Sequence, residues 1–187
     1  MRLAKARIEP LTEDAITDDI RKLLGRQFRG AVLNIFRTLG RLPEAYQRFM
    51  PWGGYILSEL NDLEPRDREL VILRTAFNWQ SGYEWAQHER IGRSCGLSGL
   101  EIEGIKTGPG ADHWTHRDRL LLTATDELTG DGFVSQATWA ALSGFSEKQR
   151  MDLVLTVGQY TQVAMMLNSF GVQLDPGLDL DPDLDRR

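Results

Sequence analysis

Helix punctuation constrains this chain more than any other feature. Ser98 and Glu101, Thr115 and Asp118, and Ser146 and Gln149 stand at the three-residue spacing of capping boxes. In that motif a hydroxyl covers one exposed backbone N–H while an acid or amide reaches back to cover another. Three helices are therefore expected to begin at these points. Pro43 and Pro65 suit a first helical turn, where a missing N–H costs nothing, and predict helices through Leu57 and from Arg66 to about Trp79. Upstream, Thr12-Glu13-Asp14 opens an amphipathic segment carrying Ile16, Ile20, Leu23 and Leu24 at helical spacing. Gly25 and Gly30 bracket a break, and a second helix is expected from Ala31 to Leu39, ending at Gly40. Gly82 interrupts only briefly, residues 83–94 read as the next helix, and Gly96 stops it.

Strand signals are few, so the expected fold is all-α, a single-domain helical bundle. A helical arm is expected over residues 1–29 and the main helical domain over 30–174. The acidic segment 175–187, with Asp175, Asp179, Asp181, Asp183 and Asp185 among Gly, Leu and Pro, is expected to be disordered. No repeat at solenoid period is present.

Composition narrows the function classes. With 41% hydrophobic and 26% charged residues, the 187-residue chain can bury a substantial core. A net charge of −5 argues against a nucleic-acid surface, which needs a concentrated basic face. The single cysteine, Cys95, permits neither an internal disulfide nor a paired-cysteine metal site. The first ten residues carry Arg2, Lys5, Arg7 and Glu9 with no apolar run, unlike a secretory leader. The apolar stretch 151–172 is interrupted by Asp152, Thr156, Gln159, Gln162 and Asn168, so it reads as a buried helix and not as a membrane span. A cytoplasmic protein without nucleic-acid or membrane partners is the expectation.

The stretch that can carry chemistry runs from Glu69 to His88. Glu84 and His88 are four apart and share one helix face; Ser81, three before Glu84, can join them if the helix begins early. Glu69 lies one helix earlier, and an antiparallel hairpin would bring it back alongside His88. A carboxylate beside an imidazole fixes its tautomer and supports proton transfer, which contributes roughly 10²–10⁴ in rate. An exposed Glu–His pair on a helix, contributing about 0.2–0.5 kcal/mol, fits the same spacing.

Glu69, then Ser81-Gly82-Tyr83-Glu84, then His88 resembles the proton-relay motif of the carboxymuconolactone decarboxylase and alkylhydroperoxidase-D-like family. That motif has a glutamate, a Cys-x-x-Cys twelve residues on, and a histidine four residues after the second cysteine. The runs Glu69-Leu70-Val71-Ile72-Leu73-Arg74, Tyr83-Glu84-Trp85-Ala86-Gln87-His88 and Leu167-Asn168-Ser169-Phe170-Gly171-Val172 extend the likeness, which covers roughly residues 30–175. Here Ser81 and Glu84 stand where the cysteines would be. A hydroxyl and a carboxylate cannot cycle through a disulfide, and Cys95, seven residues after His88, has no partner. The resemblance thus implies the decarboxylase branch and not a thiol peroxidase. It implies a lyase-type, cofactor-free enzyme acting on a small carboxylated lactone or oxo-acid, with a homo-oligomer (dimer, trimer or hexamer) as its assembly. In that reading His88 shuttles the proton, Glu84 or Glu69 orients it or donates its own, and Ser81 binds substrate. Arg74 would offset a substrate carboxylate.

Tyr160 and Asn168, on the apolar C-terminal helix, are further substrate-binding candidates, although polar groups there equally serve helix–helix bonds. Trp85, adjacent to Glu84, is the tryptophan favoured for a ligand contact over packing. His113 and His116 flank acidic residues but lack a third strong ligand, so no metal site is expected. Two other readings compete. One is an isomerase, cyclase or dehydratase on the same scaffold; the other is a non-catalytic oligomeric helical protein.

Overall fold

A computed structural model describes residues 1–24 and 32–186. The break placed at Gly25 to Gly30, the helix start placed at Ala31 and the Leu23 and Leu24 side chains lie outside the described residues. Nine α-helices and no strands occur among the described residues: Asp18–Leu24 (α1), Asn34–Leu39 (α2), Pro43–Leu57 (α3), Pro65–Asn78 (α4), Gly82–Ser94 (α5), Gly99–Thr107 (α6), His116–Asp131 (α7), Gln136–Ala141 (α8) and Glu147–Phe170 (α9). None is long and apolar enough to cross a membrane.

All three capping boxes form, at the starts of α6, α7 and α9, with both hydrogen bonds of each present. Pro43 and Pro65 occupy first turns as expected. The sequence reading missed α8. It is capped by the Ser135 hydroxyl, which accepts from the Thr138 N–H, but it lacks the acid or amide that completes a box. The segment opening at Thr12 also begins differently, as a short 3₁₀ turn over Glu13–Ala15 before α1.

The hub is α4, packed against α5, α7 and α9. Leu70, Val71, Ile72, Leu73 and Ala76 are all fully buried, so this helix is apolar around most of its girth. Its C-terminus turns sharply. Ser81 N–H donates to Ala76 C=O (2.8 Å) and Gln80 N–H to Phe77 C=O (3.0 Å), the paired bonds of a Schellman turn. The left-handed position, usually glycine, is held by Gln80 at φ 54°. The Gln80 side chain returns a bond to Phe77 C=O at 2.7 Å, which offsets part of a cost of about 1–2 kcal/mol. This turn folds α5 back along α4.

Two glycines then let the chain approach closely. A Cβ on Gly92 would lie 3.0 Å from Leu97 and 3.2 Å from Leu73, so α5 and α4 meet tightly one turn after His88. A Cβ on Gly82 would lie 2.6 Å from Leu180 and 2.8 Å from the Met1 nitrogen. The glycine read as a brief interruption is therefore where both chain ends pack.

Residues 175–186 of the acidic segment expected to be disordered are instead docked on the helices. Lys106 binds Asp181 (2.7 Å) and Asp183 (2.9 Å), and Leu184 is fully buried in the main core. Asp175 accepts from Tyr83 O–H (2.5 Å), Gln87 Nε2 (2.7 Å) and Asn34 N–H (2.8 Å), tying the segment to α5 and α2. Acidic composition suggested solvation, but these carboxylates meet donors from distant positions that spacing along the chain does not reveal.

Candidate active site

The hairpin of α4 and α5 brings Glu69 against His88, with Glu69 Oε2 and His88 Nδ1 2.7 Å apart and both side chains buried. A carboxylate can only accept, so Nδ1 carries the proton in this pair and Nε2 is the nitrogen left for chemistry. The pair is thus not the exposed helix-face contact that spacing alone also allowed.

Glu84, one turn before His88, is 1% exposed. Its Oε1 has no hydrogen-bond partner, and its Oε2 has only a long 3.5 Å contact from the Ser81 hydroxyl. Burial pushes this carboxyl well above its ordinary 4.5, with Ser81 opposing weakly. Burial therefore favours the protonated form of Glu84 over the carboxylate. Tyr160, from α9, sets its ring edge-on to the His88 ring at 4.8 Å and 86°. Burial raises its phenol well above 10, and the charge of Glu69 adds to this, so Tyr160 stays protonated.

Glu84, His88 and Tyr160 line one cavity of about 340 Å³ together with Gln87 and Gln159. The remaining wall is apolar: Phe36 from α2, Phe49, Met50 and Leu57 from α3, Ile91 from α5 and Val163 from α9. Gly53 and Gly54 also line it, and a Cβ on Gly54 would meet nothing within 4 Å, so the α3 wall recedes there. No lysine or arginine among the described residues lines this cavity.

Several expected substrate contacts lie elsewhere. Arg74 is bound bidentately by Asp126 (2.6 and 2.9 Å) and donates to Ile105 C=O (2.7 Å), so it offers no compensating charge to the cavity. Trp85, one residue and about 100° around the helix from Glu84, turns into the core and is fully buried beside Phe77. Asn168 donates to Trp79 C=O at 2.9 Å, serving as a helix–helix bond. Ser81 is fully buried and does not line the cavity; it reaches the site only through Glu84. Glu69 likewise acts only through His88. The α2–α3 wall went unread, although Phe49, Gly53 and Leu57 repeat at four-residue spacing, the signal of one helix face.

Neither thiol of a redox motif is present, and burial, with Glu69 adding, pushes the Cys95 thiol up. A thiol so shifted carries less thiolate and reacts more slowly.

Residues 43–127 match the sequence model of the Carboxymuconolactone decarboxylase family, and this segment contains Glu69, Ser81, Glu84 and His88. The segment that carries the motif is therefore carboxymuconolactone decarboxylase-like, as the residues themselves indicate. No protein of curated function matches the sequence. Among solved structures, the chain is similar to an uncharacterised peroxidase-related protein with an alkylhydroperoxidase AhpD core from Ralstonia eutropha JMP134. The TM-score is 0.77 at 23% identity, covering 93% of this chain and 95% of that one. A peroxidase-related protein from Silicibacter sp. TM1040 is similar at TM-score 0.78 and 14% identity, covering 93% and 96%. The debrominase Bmp8, solved in complex with 2,3,4-tribromopyrrole, is similar at TM-score 0.74 and 11% identity, covering 92% and 94%. These likenesses establish an AhpD-like all-helical fold.

Proposed function

We propose that this protein is an acid–base enzyme that moves protons on a small organic molecule held in the cavity of about 340 Å³. The observation that carries the reading is geometric: His88, oriented by Glu69 at 2.7 Å, and the buried Glu84 one turn earlier line one wall of the cavity. In this reading His88 Nε2 acts as base and Glu84, whose carboxyl burial raises, acts as acid. His88 takes a proton from carbon while Glu84 gives one to the neighbouring carbonyl oxygen, forming an enol. Tyr160, also protonated, supports the oxygen as charge develops. Return of the His88 proton to a different carbon, and of the enol proton to Glu84, completes an isomerisation with both groups restored. If the β-carbon carries a hydroxyl, its C–O bond breaks instead as His88 gives its proton to the departing oxygen and Glu84 recovers the enol proton, which releases water and restores both groups.

The carboxylated lactone or oxo-acid implied by the family resemblance suits this wall less well. Arg74 remains engaged by Asp126, and no lysine or arginine among the described residues lines the cavity to pair with the substrate carboxylate. An isomerase or dehydratase acting on an uncharged substrate is the better fit. The complex of the similarly folded debrominase with 2,3,4-tribromopyrrole supports this, since a small aromatic ring is accommodated by that scaffold.

The test is deuterium exchange into small carbon acids in D₂O, with 2-tetralone, cyclohexenone and α-angelica lactone as probes. Wild-type protein is expected to accelerate exchange of at least one probe, and His88→Ala to reduce that acceleration by roughly 10²-fold or more. Circular dichroism of the variant should be unchanged. No acceleration with any probe, or equal acceleration by His88→Ala, overturns the reading.

A further inference from the structure

The cavity has a polar pole whose groups find no partner within the protein. Gln159 is 5% exposed, its Oε1 is buried without a hydrogen bond, and its Nε2 makes none with the described residues. Glu84 Oε1 is in the same condition. Tyr160 and His88 line the same cavity, and neither the Tyr160 hydroxyl nor His88 Nε2 forms a hydrogen bond with the described residues. Buried polar atoms are almost always satisfied, and a cluster of unsatisfied ones on one cavity wall marks where another molecule supplies the bonds.

The inventory of that pole says what the molecule carries. Gln159 Oε1 only accepts, so the ligand must donate a hydrogen bond there. The Tyr160 O–H can donate as well as accept, so a ligand head that also accepts finds a donor beside Gln159. Away from the pole the wall is mostly apolar, with Phe36, Phe49, Met50, Leu57, Ile91 and Val163, and the Tyr83 O–H and Gln87 Nε2 that also face this side are spent on Asp175. A ligand carboxylate finds no pairing cation on this wall, since no lysine or arginine among the described residues lines the cavity.

We propose that the cavity binds an uncharged molecule with an apolar body and one head that both donates to Gln159 and accepts from Tyr160, as a phenol, an enol or a hydroxy-ketone does. This rests on the acid–base reading for its residues and names the substrate class that reading leaves open. Gln159 is then the specificity-determining residue, reading a donor that a methyl ether or carboxylate lacks.

Three probes of one size separate the cases: 2-naphthol, 2-methoxynaphthalene and 2-naphthoate, titrated into the full chain at pH 7 by calorimetry. The expected order is 2-naphthol tightest, by about tenfold over the methyl ether because the ether leaves Gln159 Oε1 unpaired, with 2-naphthoate weakest. Gln159→Met keeps the side-chain length and should bring the first two probes to equal affinity. Equal affinity in the wild type, tightest binding of 2-naphthoate, a preference that survives in Gln159→Met, or no saturable binding of any probe would each overturn the proposal. Deuterium exchange is measured separately, so a protein that prefers 2-naphthol yet exchanges nothing loses the proton-transfer reading alone. One that exchanges carbon acids without the preference loses the head-group assignment alone.

Discussion

Two groups of buried polar side chains in this molecule are treated in opposite ways. Around the start of α7, Asp118 accepts from Arg66 (2.7 Å) and from the Thr115 hydroxyl (2.6 Å), while Arg66 also binds Glu101 and Glu101 closes the cap of α6. Every carboxylate there has a donor. Burial acts to raise Asp118, yet Arg66 and Thr115 override it and hold it below its ordinary 3.8. In the same way Ser98 and Arg66 hold Glu101 at about 2 against its own burial. Around the cavity, Glu84 and Gln159 are as deeply buried and have almost nothing. The first arrangement is what a chain does with polar groups when stability decides. The second is retained despite a desolvation cost of about 1–3 kcal/mol per unsatisfied group, which is sensible where a ligand completes the bonding.

The contrast makes ranked predictions. Asp118→Ala should lower stability by about 3 kcal/mol, because it leaves Arg66 with one partner fewer and removes half of the α7 capping box. Chemical denaturation checks this, and a loss below about 1 kcal/mol would break the comparison at its stable end. Glu84→Gln should act next, and its sign depends on pH. In the folded protein the Glu84 carboxyl is raised above 4.5, so it keeps a proton that the unfolded chain gives up above that pH. Its contribution is complete below about pH 4.5 and is lost as pH climbs towards the raised value, by up to about 1.4 kcal/mol per pH unit. Asp118 and Glu101 run the other way, losing their contribution as pH falls below their ordinary values. Wild-type stability should thus decline on both sides, and Glu84→Gln should remove only the alkaline decline while abolishing proton exchange. Urea midpoints measured from pH 4 to pH 8 show this directly.

Much of the fold was legible because capping is local chemistry. Ser98, Thr115 and Ser146 announce their helices within four residues, and the spacing of Glu69, Glu84 and His88 announced the hairpin that brings Glu69 against His88. What escaped depends on pairs far apart in sequence. Asp175 meets Tyr83 and Gln87 some ninety residues away. The acidic segment therefore looked solvated when it was docked. Trp85 sits beside Glu84 in the sequence, but one helical step rotates a side chain by about 100°, enough to send it into the core, while Arg74 is taken by Asp126, a partner 52 residues away. Gly92, which lets α4 and α5 close near the Glu69–His88 pair, reads in sequence as an indifferent helix glycine, since only the packed partner shows why a Cβ is unwelcome.

The smallest effect is the most diagnostic. Replacing a buried, unpartnered amide by an apolar side chain of the same length removes a desolvation cost without opening a hole. Gln159→Met should therefore raise stability, by about 1 kcal/mol, and so move in the direction opposite to Asp118→Ala. Thermal melts of the ligand-free protein read the difference. If Gln159 were a structural residue whose bonds matter to the fold, the same substitution would lower the melting temperature. A gain in stability that accompanies loss of 2-naphthol preference would mean that Gln159 is kept for what it binds, while Asp118 is kept for what it holds together.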